Sequence, residues 1–294
     1  MARYRLVQQN MKMRSDASRN IAHGVTSALM LMWLLTSAAA ESSDLANVEA
    51  CNGKNLTSAE PQIAACTVLI DGNADNPKVL AIAHNNRGNA YIRKGEYEQA
   101  IKDYDEAIKL MPKFAEAFNN RGVAYQKMAD FDRAIQDFDA AINIDPNYAN
   151  AFANRAETYQ KRDDYPNALK DLDEAIQLQP TLKPLWNERC WTNAIIGELQ
   201  TAMADCNEAI RLEPNVAAAF DSRGLTFLKL GQWASAITDY NAALRLDPKL
   251  PSALYGRGFA KLKTGDRAGG DADITAAEAV ERNIAEKFAR YGLH

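Results

Sequence analysis

The chain has 294 residues, with 34 basic and 38 acidic side chains and a formal net charge of −4. Its first 40 residues hold five of the bases and a single acid, Asp16, so losing them would take the net charge from −4 to −8. So acidic a surface stays soluble and repels nucleic-acid phosphates, which argues against a nucleic-acid partner. The four cysteines form no CxxC pair, and with three histidines in all, neither a metal-ligand cluster nor a redox motif is present in the sequence.

In chain order, Arg3, Arg5, Lys12, Arg14 and Arg19 precede an uncharged apolar run from Gly24 to Leu35, which ends in Ala38, Ala39 and Ala40. This is the pattern of a secretory signal peptide, residues 1–40, cleaved after Ala40, with Met11 and Met13 as alternative starts. The competing reading is a transmembrane anchor, but the run falls short of the roughly 20 apolar residues that span a bilayer. Cleavage predicts an exported, periplasmic protein; retention predicts one anchored in the inner membrane and facing the periplasm. Residues 41–80 read as a degenerate N-terminal capping helix pair, Leu45 to Cys51 and Pro61 to Ile70, hinged at Asn52-Gly53.

From His84 onward one pattern returns every 34 residues. An aromatic-type slot holds His84, Phe118, Phe152, Trp186, Phe220 and Leu254, and four residues on stands Gly88, Gly122, Ala156, Cys190, Gly224 or Gly258. The second half of each unit carries Ala100, Ala134, Ala168, Ala202, Ala236 or Gly270, then Tyr104, Phe138, Leu172, Cys206, Tyr240 or Ile274, then an alanine. Pro112, Pro146, Pro180, Pro214 and Pro248 close five of the six units. Spacings of three and four put each set on one helical stripe, and a Gly or Asp near 95, 163, 197, 231 and 265 separates the two helices.

In period and in these slots the array resembles the tetratricopeptide repeat. The resemblance implies an all-α fold, a right-handed superhelical solenoid of antiparallel helix pairs with atypical N- and C-terminal caps. Residues 81–250 would form five regular repeats. Residues 251–294 would form a sixth, degenerate repeat whose second helix runs on without its closing proline as an extended C-terminal capping helix, with Phe288 and Tyr291 folded back on the stack.

Two charges recur in every unit. An arginine stands three residues past the aromatic slot and an aspartate sixteen residues later: Arg87 and Asp103, Arg121 and Asp137, Arg155 and Asp171, Arg189 and Asp205, Arg223 and Asp239, Arg257 and Asp273. They are expected to pair as structural links between helices, because a half-buried arginine without a carboxylate is costly; a ladder of arginines offered to an anionic ligand is the alternative. Cysteines 51 and 66, and Cys190 and Cys206, have nearly equal spacing, and export permits two intra-unit disulfides.

In families of this kind the concave groove is lined by the first helix of each unit. The resemblance therefore assigns a partner-binding groove to Asn85, Asn89 and Arg93; Asn119 and Lys127; Lys161; Asn187, Trp191 and Ile195; Leu225 and Leu228; and Phe259 and Leu262. The early units offer amides and a basic row, the later ones apolar surface on which a partner segment would anchor, unless Trp191, Leu225 and Phe259 pack internally. His84 reads as a packing residue. Without a nucleophile–base set or a phosphate-binding glycine loop, the expectation is a non-enzyme without cofactor or small-molecule substrate. It is an adaptor of the bacterial cell envelope that binds a peptide or helix of another protein, the alternative being a membrane-tethered assembly factor or self-associating structural subunit.

Overall fold

The computed structural model describes residues 46–53, 58–72 and 75–293, and these are entirely helices and turns. The signal-peptide segment lies outside the described residues. Among the described ones no helix is long and apolar enough to cross a membrane. The chain divides into two compact units between Met111 and Pro112. The first contains a helical stretch over 46–51, α1 (Glu60–Gly72), α2 (Pro77–Lys94) and α3 (Tyr97–Leu110). The second contains the pairs α4 (Ala115–Lys127) and α5 (Phe131–Ile144), α6 (Ala149–Lys161) and α7 (Tyr165–Leu178), α8 (Lys183–Ile196) and α9 (Leu199–Leu212), α10 (Ala217–Lys229) and α11 (Trp233–Leu246), and α12 (Pro251–Thr264) and α13 (Arg267–Val280), followed by α14 (Ile284–Arg290).

Each pair closes by the same volume exchange. The second helix buries positions i, i+3, i+4 and i+7, as α5 does with Ala134, Asp137, Phe138 and Ala141. The Phe138 ring lies where a Cβ on Gly122 would be, 2.7 Å from a ring carbon, so the first helix can offer only glycine there. Gly88 meets Tyr104 in the same way, and Gly224 meets Tyr240. Where the ring gives way to Leu172, the facing residue grows to Ala156, and both are fully buried. In α8 and α9 two cysteines take the two places and are joined, Cys190 to Cys206. A second disulfide, Cys51 to Cys66, ties the 46–51 stretch to α1.

The turn inside every pair has one geometry. Gly95, Ala129, Asp163, Gly197, Gly231 and Gly265 all have positive φ, between 57° and 95°. The next amide donates back to the carbonyl five residues earlier, as Glu96 does to Tyr91, which satisfies the last carbonyls of the first helix. At the far end, the residue after each second helix donates to the alanine carbonyl at 107, 141, 175, 209, 243 or 277. The sixth pair stops at this same phase although Arg282 stands where the others have proline. The continuous C-terminal capping helix read from the sequence is thus two helices, α13 and α14, parted at 281–283. The end of the second helix is set by the carbonyl at this phase, and proline is not needed for it.

In the second unit the first helices of neighbouring pairs touch, α4 with α6, α8 with α10 and α10 with α12, whereas no two second helices make a comparable contact. Spacing is shortest on the inside of a curve, so the first helices form the inner face.

Candidate binding face

A repeated guanidinium network fixes the first helices. In all six pairs the arginine donates from Nε and Nη2 to both oxygens of its aspartate, at 2.6–2.9 Å. The remaining Nη1 reaches a second partner: Asp139 from Arg155, Asp173 from Arg189, Asn207 from Arg223 and Asn241 from Arg257. These acceptors belong to the second helix of the preceding pair, so each arginine joins three helices. They recur at the 34-residue period two residues after the paired aspartate, a signal the sequence reading passed over. The guanidinium also lies 5.2–5.9 Å from the aromatic slot at Phe118, Phe152, Trp186 and Phe220. With every arginine bound to both oxygens of its own aspartate, the ladder is a frame for the face and offers no row of free cations. Burial alone would raise the Asp103 carboxyl, but hydrogen bonds from Arg87 and His84 outweigh it and hold it below its usual range.

In the first unit, Asn89 accepts from the Tyr104 hydroxyl at 2.7 Å and Arg93 donates to Gln62 at 2.5 Å. His84 is 2.8 Å from Asp103. Four residues assigned to an open groove are buried: Asn85 (1% exposed), Asn119 (4%), Leu225 (4%) and Leu228 (1%). In the second unit, adjacent first helices approach closely enough for side chains at this register to meet between them. Asn119, for example, accepts from Asn154 across the α4–α6 seam. The same seam and the next carry a ladder not read from the sequence, Gln126 to Thr158 and Gln160 to Thr192. Lys127 is exposed, Lys161 pairs with Glu157 at 2.8 Å, and Asn187 is half-buried.

The apolar half of the face is covered from within the chain. Helix α14 buries Ile284 and Phe288 (2% exposed each), in one apolar cluster with Leu225, Leu228 and Leu293. The Phe288 ring lies 4.6 Å from Tyr255, and Tyr291 meets Trp191 edge-on at 5.8 Å. Tyr165 stands on another side of Trp191 at 5.9 Å, and Arg290 reaches Asp163 at 3.8 Å. A regular next helix would touch only α12 and α13; α14 reaches residues of α6–α7 and α8 as well, so it lies along the inner face. Ile195 packs on the same cluster; Phe259 meets Trp233 edge-on; Leu262 is 37% exposed and lies against Gly270.

Between α14 and the face lies a cavity of about 310 Å³, lined among others by Trp191, Asp221, Leu225, Tyr240, Lys287 and Tyr291. Asp221 Oδ2 accepts from Ser252 at 2.7 Å, while Asp221 Oδ1 and the Tyr240 hydroxyl are buried without a partner among the described residues. Burial pushes the Asp221 carboxyl up to about 7 against the opposing effect of the Ser252 hydroxyl. Burial, with Glu157 nearby, likewise pushes Glu188 up to about 7.

One family model, described as TPR repeat, matches residues 81–128 and 224–265, and another, described as tetratricopeptide repeat, matches 115–148 and 149–182. The fold resembles that of YrrB, described as a TPR protein with an unusual peptide-binding site (22% identity over 66% of this chain and 98% of that one, TM-score 0.55). It resembles a tetratricopeptide repeat protein from Parabacteroides merdae (17%, 85% and 99%, 0.62) and pilF of Pseudomonas aeruginosa (17%, 72% and 98%, 0.62). At these identities the likeness is one of fold. No curated protein matches the sequence. The 34-residue phase, the glycine-against-ring pairs repeated along it and the two matching models together place the chain in the tetratricopeptide-repeat family.

Proposed function

We propose that the chain is a non-catalytic interaction scaffold of the bacterial cell envelope, exported by cleavage after Ala40, whose inner face holds a peptide or helix of another protein. The observation that carries this reading is the inner face itself: consecutive first helices locked in place by the arginine network, uncovered around Val123, Lys127, Glu157 and Lys161 and apolar beyond Trp191. Two buried disulfides support an oxidising compartment. The fold likeness to YrrB, described as having a peptide-binding site, and to PilW, described as a type IV pilus biogenesis factor (20% identity over 68% of this chain and 92% of that one, TM-score 0.62), supports the same direction.

The test is capture of a partner from envelope extract by the tagged full chain, beside a folded Lys127→Glu/Lys161→Glu variant, with intact-mass measurement of the mature protein. A chain beginning at Glu41 that retains one partner, and loses it with the charge reversal, supports the reading. Identical capture by both forms, or a mature chain that keeps residues 1–40 and binds only its own copies, refutes it.

A further inference from the structure

Resting on that reading, we infer that residues 284–293 are an intramolecular stand-in for the ligand of the apolar half, and that this ligand is a basic amphipathic helix which displaces them. Ile284, Phe288 and Tyr291 stand at i, i+4 and i+7, the spacing by which a helix lays one apolar face into a groove. They fill the inner face as such a ligand would: Phe288 on Tyr255, Tyr291 on Trp191, Ile284 and Leu293 within the Leu225–Leu228 cluster. The segment is held by one short helix and a turn, and it makes few contacts with α12 and α13. Segments with little local packing open at low free energy, so exchange with a competitor does not require the repeats to unfold.

The fit is also incomplete, and in a way that identifies the competitor. Asp221 lines the cavity beneath α14 with one oxygen unpartnered, and Tyr240 presents an unpartnered hydroxyl. Lys287 lines the same cavity, but its ammonium is engaged by Glu281 of its own segment. A helix that keeps the three apolar anchors and brings a free lysine or arginine to Asp221 would satisfy a buried carboxylate that the internal segment leaves half-paired. Charge-assisted hydrogen bonds of this kind are about twice as strong as neutral ones. The internal segment is therefore the weaker occupant, and it screens the apolar face until such a helix arrives.

The test uses the full chain and, as probe, a fluorescein-labelled synthetic peptide of residues 281–294, read by anisotropy. Wild type is compared with Phe288→Ala/Tyr291→Ala, circular dichroism checking the fold and hydrogen exchange checking release of 284–293. The expected result is binding at least tenfold tighter to the double variant, with that gain lost when Trp191→Ala is added. Equal affinity for wild type and released variant, or a gain that survives Trp191→Ala, overturns the inference. A second probe with Glu281→Ala frees Lys287; it should bind the released chain tighter than the first probe does, and lose that advantage on Asp221→Asn. Equal binding of the two probes overturns the basic requirement. Should the double variant fail to fold, Tyr291→Ala alone, which removes only the ring on Trp191 and Phe288, is compared in its place. A scaffold that captures no partner yet binds these probes would refute only the proposed function; capture without probe binding would refute only this inference.

Discussion

Arg155 offers the sharpest test of the frame. It donates to both oxygens of Asp171 at 2.7 Å and also to Asp139, while Asp171 is only 5% exposed. Burial already raises the Asp171 carboxyl despite Arg155. Arg155→Met should therefore strand a buried carboxylate, at about 3–5 kcal/mol. The group can escape by taking up a proton. At pH 7 that costs about 4 kcal/mol, from some three units above a normal aspartate at 1.36 kcal/mol each, which caps the loss near the middle of the range. At pH 4 the unfolded chain is itself half protonated there, so the loss should shrink to about 1 kcal/mol, the share of packing and hydrogen bonds. Arg155→Met/Asp171→Leu should recover most of the stability at pH 7, because no charge is then left behind. Urea unfolding followed by circular dichroism at both pH values measures all of this. A single variant that loses less than 1 kcal/mol at pH 7, or loses the same at pH 4 and pH 7, would refute the reasoning.

Ala129 has φ 59° where four equivalent turns have glycine, and a left-handed L-residue costs about 1–2 kcal/mol. Ala129→Gly should accordingly raise the thermal midpoint, and an unchanged or lower midpoint would count against the turn geometry. Asp221 keeps its proton to about pH 7 when folded but releases it near 4 when unfolded, so wild-type stability should fall as pH rises across that interval. Asp221→Asn should reduce that slope and be more stable at pH 8, by up to about 4 kcal/mol at 1.36 kcal/mol per unit; a slope identical to wild type would exclude Asp221 as its source. Opening Cys51–Cys66 and Cys190–Cys206 by reduction should cost about 3 kcal/mol each in the chain-entropy view of loops of this size, and an unfolding midpoint indifferent to dithiothreitol would contradict it.

What the sequence made legible is whatever repeats. A residue returning every 34 positions must meet the same neighbours each time, so periodicity alone matches Arg155 to Asp171 and Cys190 to Cys206. The repeated second acceptors, Asp139, Asp173, Asn207 and Asn241, carried an equal signal but a mixed chemistry of acids and amides that masked it. The turn at Ala129 was hidden for the opposite reason: the geometry recurs while the residue type does not. Groove membership was the least legible. Periodicity reports which face of a helix a side chain is on, but not how closely the next helix approaches, and that distance decided that Asn119 lies in a seam while Lys127 stays exposed.

The placement of α14 follows from the same rule carried one period further. Phe288 stands 34 residues after Leu254 and Gly292 34 after Gly258, so the segment carries the signature of another first helix. Position 291, however, is tyrosine where six units have arginine. Such a helix cannot make the guanidinium bridge by which Arg155, Arg189, Arg223 and Arg257 clamp their first helix to its own second helix and the one before. What remains is its apolar stripe, and that stripe packs on the inner face at Trp191, Leu225 and Tyr255. Losing one arginine thus turns a would-be repeat into a ligand for its neighbours. By that logic Tyr291→Ala should weaken the hold on Trp191 by removing the ring that meets it edge-on. Hydrogen exchange over 284–293 should then quicken while the amides of α10 and α11 stay protected. If the segment exchanged no faster than in wild type, the ring contact would not be what holds α14 in place.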